Sequence, residues 1–217
     1  MELLAHLLQA DPARPRLTVY DELTGARLDF SAQTLDNWAA KVANMLYEEL
    51  DLTPGSRIGI ALPCGWQSCA IALGAIAAGV TYTFEADAEV EVEFCALDRV
   101  PENPAGDLVL VTDDPFGRGV IETGGTLPLG TVDFGPVVRL YGDQFFSPTP
   151  KIADYAARSD LPAESRVLST GWTDTQGFER TVLEPLAVGG SAVVVSGIVG
   201  PERLQAIAEA EKVTLRL

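Results

Sequence analysis

The chain has 217 residues, 47% hydrophobic, 21% charged and 7% aromatic; this suits one globular domain, or two small ones sharing a core, and excludes a disordered chain. At this length roughly two-thirds or more of the unfolded surface can be buried, so no metal or disulfide staple is required. Lys+Arg number 15 against 31 Asp+Glu, a formal charge of −16, which repels phosphate backbones and anionic lipid head groups and excludes nucleic acid and membrane surfaces as partners.

The opening MELLAHLLQADPARP is apolar, short and acidic, with no basic n-region. It reads as an amphipathic helix over Glu2–Ala10 with Leu3, Leu4, Leu7 and Leu8 on one stripe, not as a signal peptide. Leu17–Tyr20 and Ala26–Phe30 flank Leu23-Thr24-Gly25 and predict a hairpin. Ser31 can cap a helix over Ala32–Leu50, with Leu35, Trp38, Ala39, Val42, Leu46 and Leu50 among its apolar positions. After the turn at Thr53-Pro54-Gly55, Arg57–Leu62 reads as a strand, Trp66–Ala78 as a helix of small residues and Val80–Phe84 as the next strand. The apolar run Ala70–Val80 is too short to span a membrane.

Residues 85–98 carry Glu85, Asp87, Glu89, Glu91, Glu93 and Asp98 with no base among them. Glu89, Glu91 and Glu93 alternate with Val90, Val92 and Phe94, which predicts a strand with one acidic and one apolar face. The acidic face reads as a solvated surface, with a cation site or a docking surface for a basic partner as the sharper alternative. Strands are predicted at Leu108–Thr112 and Val137–Tyr141, with the Gly-, Pro- and Asp-rich 112–136 between them as a surface excursion or a hairpin. Thr149–Arg158 reads as a helix, Arg166–Thr170 as a strand and Gln176–Val188 as a helix closed by Gly189-Gly190. Ser191–Ser196 is a strand whose unbroken valines show no alternation, Pro201–Glu211 a helix with proline in its first turn, and Val213–Leu217 a last strand. This order predicts an α/β fold with a mainly parallel sheet and helices on both faces. It is read as one domain over 1–217: a first layer at 1–84, a variable strand and loop region at 85–140 and a second βαβ layer at 141–217.

Three stretches carry a resemblance. LDFSAQTLDNWAAKVANMLYEELDLTPGSRIGIALP (28–63) is similar to the "LTYxEL…AN…L…GV.PGDRVAI.LP" segment of the acyl-adenylate-forming (AMP-binding) enzymes, the superfamily of acyl-CoA synthetases and adenylation domains. LGAIAAGVTYTF (73–84) resembles their "LGxxxAGAxxxPL". Residues 165–217 resemble "DRVL…PLFHxxG…PLLxGAxVVL…" followed by the "xxVTxL" strand. The resemblance implies the N-terminal portion of that family's large domain.

Departures from the pattern fall where the family does its chemistry. Those enzymes place a loop of the type "TSGTTGxPKG" between the second and third stretches, whose amides and hydroxyls cradle triphosphate. Here the stretch is YGDQFFSPTPKIADYA (141–156), in which only Ser147, Thr149, Pro150 and Lys151 match, and Pro148 and Pro150 have no N–H to offer. The family's "HxxG" histidine falls near Asp174, where a carboxylate would repel a carboxylate substrate. The family's Mg-linked motif and catalytic lysine lie beyond Leu217. No cofactor is implied, and adenylation, which must position ATP, Mg²⁺ and a carboxylate together, is not expected of this chain.

Other chemistry is thinly represented. The only histidine, His6, sits on the first helix, and a catalytic triad would have to use it. Cys64, Cys69 and Cys95 form no CxxC and suggest neither a zinc site nor a disulfide framework; thiols in a reducing cytoplasm are the expectation. No catalytic or metal-ligating residue is assigned. Ligands in open α/β sheets collect at the carboxyl ends of strands, which makes Trp172, Asp174 and Gln176, with Lys151, the pocket candidates. The expected function is a non-catalytic binding or scaffold module, as a homodimer or with a protein partner. The alternative is a remnant pocket for an acyl, CoA-like or nucleotide ligand, and a weaker third reading is half of a split enzyme.

Overall fold

Asp21 closes the first turn: its carboxylate accepts from the amides of Leu23 and Thr24 at 2.9 and 3.4 Å and from the Thr24 hydroxyl at 2.7 Å, the side-chain mimicry by which aspartate makes turns. The turn joins β1 (Pro15–Asp21) to β2 (Ala26–Ser31) as the predicted antiparallel hairpin. The computed structural model describes residues 1–85, 89–104 and 106–217; Asp87 of the acidic run lies outside them. The first helix, α1 (Ala5–Ala10), is shorter than its predicted span, although Leu3 and Leu4 ahead of it are fully buried. Ser31 Oγ accepts from the Thr34 amide at 3.2 Å and so caps α2 (Ala32–Glu48), as its position predicts.

The described strands form two five-stranded sheets. They belong to two compact units, one comprising Met1, 37–63 and 67–149, the other 2–36, 64–66 and 150–217. The second unit draws on both ends of the chain because β1 of the hairpin pairs with a single strand more than 150 residues away, at Ser191–Ser196.

In the first unit β3 (Arg57–Ala61), β4 (Thr81–Thr83), β5 (Val92–Cys95), β6 (Asp107–Leu110) and β7 (Thr131–Asp133) are all parallel, in the order β4-β3-β5-β6-β7. The crossover from β3 to β4 is α3 (Trp66–Ala78), a helix apolar nearly all round and buried along most of its length. In the second unit β8 (Arg166–Ser169), β9 (Ser191–Ser196) and β10 (Leu215–Arg216) give the order β10-β8-β9-β1-β2, parallel except for the hairpin edge. Tyr20, Leu168, Val193, Val195, Ile207 and Ala208 form a core cluster there. The fold is α/β and mainly parallel, as predicted.

Several elements differ locally from expectation. Val137–Tyr141, an apolar run read as a strand, instead follows from a short helix, α4 (Phe134–Val138). Pro136 lies inside the first turn, where its fixed φ suits a helix and its missing N–H costs nothing. Thr149–Arg158 is not an α-helix: only a 3-10 stretch, Ile152–Arg158, forms after the two prolines. The 112–136 stretch is a surface excursion over much of its length, with 121–126 all exposed, and it is wound around two buried carboxylates. Asp114 Oδ1 accepts from the Phe116 and Arg118 amides at 2.9 and 3.1 Å, and Asp133 accepts from the Val120 and Ile121 amides at 2.9 and 3.3 Å.

The acidic run does alternate, with Val90, Val92 and Phe94 buried and Glu89 and Glu91 exposed. Its carboxylates are partly committed, however. Glu91 accepts from Ser56 Oγ at 3.0 Å and the Arg57 amide at 3.1 Å, pinning the start of β3, and Glu85 accepts from Thr83 Oγ at 2.7 Å. Cys69 and Cys95 are buried, which pushes their thiols up to about 12 and about 11 and leaves them unreactive at neutral pH.

Candidate functional site

The carboxyl end of β8 leads into the strongest constellation. Gly171 has φ +94°, and a Cβ there would lie 2.3 Å from Cys64 Sγ, so only glycine passes this point. Trp172 follows, buried, with its ring edge-on to Phe178 at 5.0 Å. Asp174 then caps the next helix: its Oδ1 accepts from the Gly177 amide at 2.6 Å. That helix, α5, is built from Thr175–Phe178, a π-helical stretch Glu179–Leu183 and Glu184–Ala187. Pro185 accounts for the widened turn, since it cannot donate to the carbonyl four residues back and its ring crowds that carbonyl.

One side of α5 forms a groove of about 540 Å³, lined by Asp174, Gln176, Gly177, Glu179, Arg180 and Glu184. Arg180 is bound on both sides, to Asp160 and to Glu184, which hold its guanidinium firmly protonated; Ser159 Oγ adds a 2.8 Å hydrogen bond to Glu184. The groove is therefore acidic, with its one cation already neutralised. Of the sequence-derived candidates, Asp174 and Gln176 line it. Trp172 packs behind them, 3.3 Å from where a Cβ on Gly177 would sit, and fills core rather than wall. Lys151 is not among the lining residues; its side chain is 56% exposed and pairs with Glu2 at 3.5 Å. His6 Nε2 lies 2.9 Å from the Leu186 carbonyl oxygen. Among the described residues no group of three His, Cys, Asp or Glu is placed to hold a metal ion, and no helix is long and apolar enough to cross a membrane.

The segment standing where the phosphate loop is expected shows its polarity plainly. Lys41 Nζ donates to the Tyr141 carbonyl at 2.6 Å and pairs with Asp143 at 2.8 Å. Asn44 Nδ2 donates to the carbonyls of Gly142 and Gln144 at 3.2 and 2.9 Å. Phe145 is buried against Tyr47, ring centroids 5.3 Å apart. An anion cradle aims amide N–H groups at its ligand. Here the backbone from Tyr141 to Gln144 aims carbonyls at side-chain cations and amides.

Arg16 and Asp36 are among the buried charged residues not singled out from the sequence. Arg16, 1% exposed, donates from Nη1 to the carbonyls of Gly189 and Gly190 at 2.6 and 3.0 Å, at the C-terminal end of α5 where a cation is favoured. Burial lowers its pKa. Asp36 is buried with one carboxylate oxygen, Oδ1, lacking a hydrogen-bond partner, and burial raises its pKa. A helical wheel would have found it: it lies four residues after Ala32 and four before Ala40, both buried.

No family model matches the chain. A TIGR03089 family protein of Mycobacterium tuberculosis is 37% identical to it over 236 residues, covering 98% of this chain and 95% of the relative. The chain belongs to the TIGR03089 family. Among solved structures, this TIGR03089 family member resembles a Brucella canis acyl-CoA synthetase (18% identity, TM-score 0.70, 93% of this chain and 44% of the other). It also resembles the anthranilate CoA ligase AuaEII in complex with anthranoyl-AMP (12%, TM-score 0.73, 98% and 48%). A benzoate CoA ligase from Burkholderia xenovorans gives 14%, TM-score 0.66, 100% and 50%. At these identities the likeness is one of fold, that of the N-terminal domain of CoA ligases. The chain spans about half the length of these structures.

Proposed function

We propose that this family member keeps the scaffold of a CoA ligase N-terminal domain but does not adenylate, and works as a non-catalytic binding module. The observation that carries this reading is the polarity of the Tyr141–Gln144 backbone, whose carbonyls are spent on Lys41 and Asn44. Two further features agree with it. Pro148 and Pro150 remove donors from the same stretch, and Asp174 fills the N-terminus of α5 with its own carboxylate, where an anionic ligand would otherwise gain from the helix dipole.

A second reading, a remnant pocket for an acyl, CoA-like or nucleotide ligand, has the groove along α5 in its favour. Its walls carry Asp174, Glu179 and Glu184 against the single, already paired Arg180, so phosphate-bearing ligands are electrostatically disfavoured there. Pyrophosphate exchange into ATP, measured with a panel of short-chain, long-chain and aryl carboxylates, tests the first reading. No exchange above the protein-free rate is expected with any of them, and enzyme-dependent exchange with one carboxylate would overturn it.

A further inference from the structure

We draw no further inference here: the strongest candidate, the acidic groove along α5 walled by Asp174, Gln176, Glu179 and Glu184, belongs to the site already described, and nothing in the structure shows what would occupy it.

Discussion

Glu211→Ala should lower stability by about 3 to 5 kcal/mol, read as a shift in the urea midpoint, because it leaves a buried cation without its counter-charge. The Glu211 side chain is 7% exposed and sits at the centre of a polar network across the second unit's sheet. Tyr20 donates to it at 2.6 Å, Arg27 Nε at 2.8 Å, and Arg166 Nη2 by a short ion pair. Arg166 is 17% exposed; it also donates to the Glu211 carbonyl at 2.7 Å and to Ser191 and Thr18, each at 3.0 Å. Removing the carboxylate strands Arg166 and the Tyr20 hydroxyl together. Lys151→Ala, which cuts a pair with Glu2 exposed on both sides, is the control and should cost under about 1 kcal/mol.

The same network sets an acid limb. Burial alone would raise the Glu211 pKa, but the hydrogen bonds from Arg27, Tyr20 and Arg166 outweigh it and hold the group at about 2, against an ordinary 4.5. A carboxylate depressed in the folded state stabilises the fold at pH above its unfolded value and loses that contribution as pH falls through the folded value. The gap is worth roughly 3 kcal/mol, present above about pH 5 and lost between there and about pH 2. The Glu211→Ala variant should lack this part of the acid dependence, and a variant whose stability falls with acid just as steeply would show that the network is not its source.

Gly74→Leu should prevent folding of the first unit. Gly74 lies where α3 crosses α2, and a Cβ there would sit 2.4 Å from both Cβ and Cγ1 of Val42 and 3.1 Å from the Ala39 carbonyl. The obstruction is a branched carbon fixed to a helix backbone, not the end of a flexible chain, so the helices must separate. Even Gly74→Ala, which gains up to about 1 kcal/mol of helix propensity, should be net destabilising, since overpacking costs about 1 to 3 kcal/mol. Leucine adds three more carbons to the same space and should exceed much of a typical 5 to 15 kcal/mol stability. Val42→Ala should partly rescue Gly74→Ala in urea titrations; a neutral Gly74→Ala would refute this packing.

The legible parts of the fold are those written in local pattern. The unbroken valines of 191–196 announced a strand buried on both faces, and β9 indeed lies between parallel neighbours. Ser31 and the Leu23-Thr24-Gly25 turn were readable because caps and turns involve residues a few positions apart. An apolar run of the length of Val137–Tyr141 suits strand or helix equally, and Pro136, at home in a helix's first turn, is the local sign that separates the two. Pairing of β1 with β9 and of Arg16 with Gly189 and Gly190 joins positions 173 or more residues apart, which no local pattern encodes. At the candidate site, Asp174 and Gln176 were found from the strand-end rule. The π stretch of α5 has only Pro185 as its trace in the sequence.

Isothermal titration of the full chain with ATP·Mg²⁺ tests the central claim most directly, because it depends on neither the carboxylate substrate nor turnover. With the Tyr141–Gln144 carbonyls already facing Lys41 and Asn44, no saturable heat is expected up to about millimolar nucleotide. Saturable binding with a micromolar dissociation constant would contradict the account and return the chain to the working nucleotide-binding members of its fold.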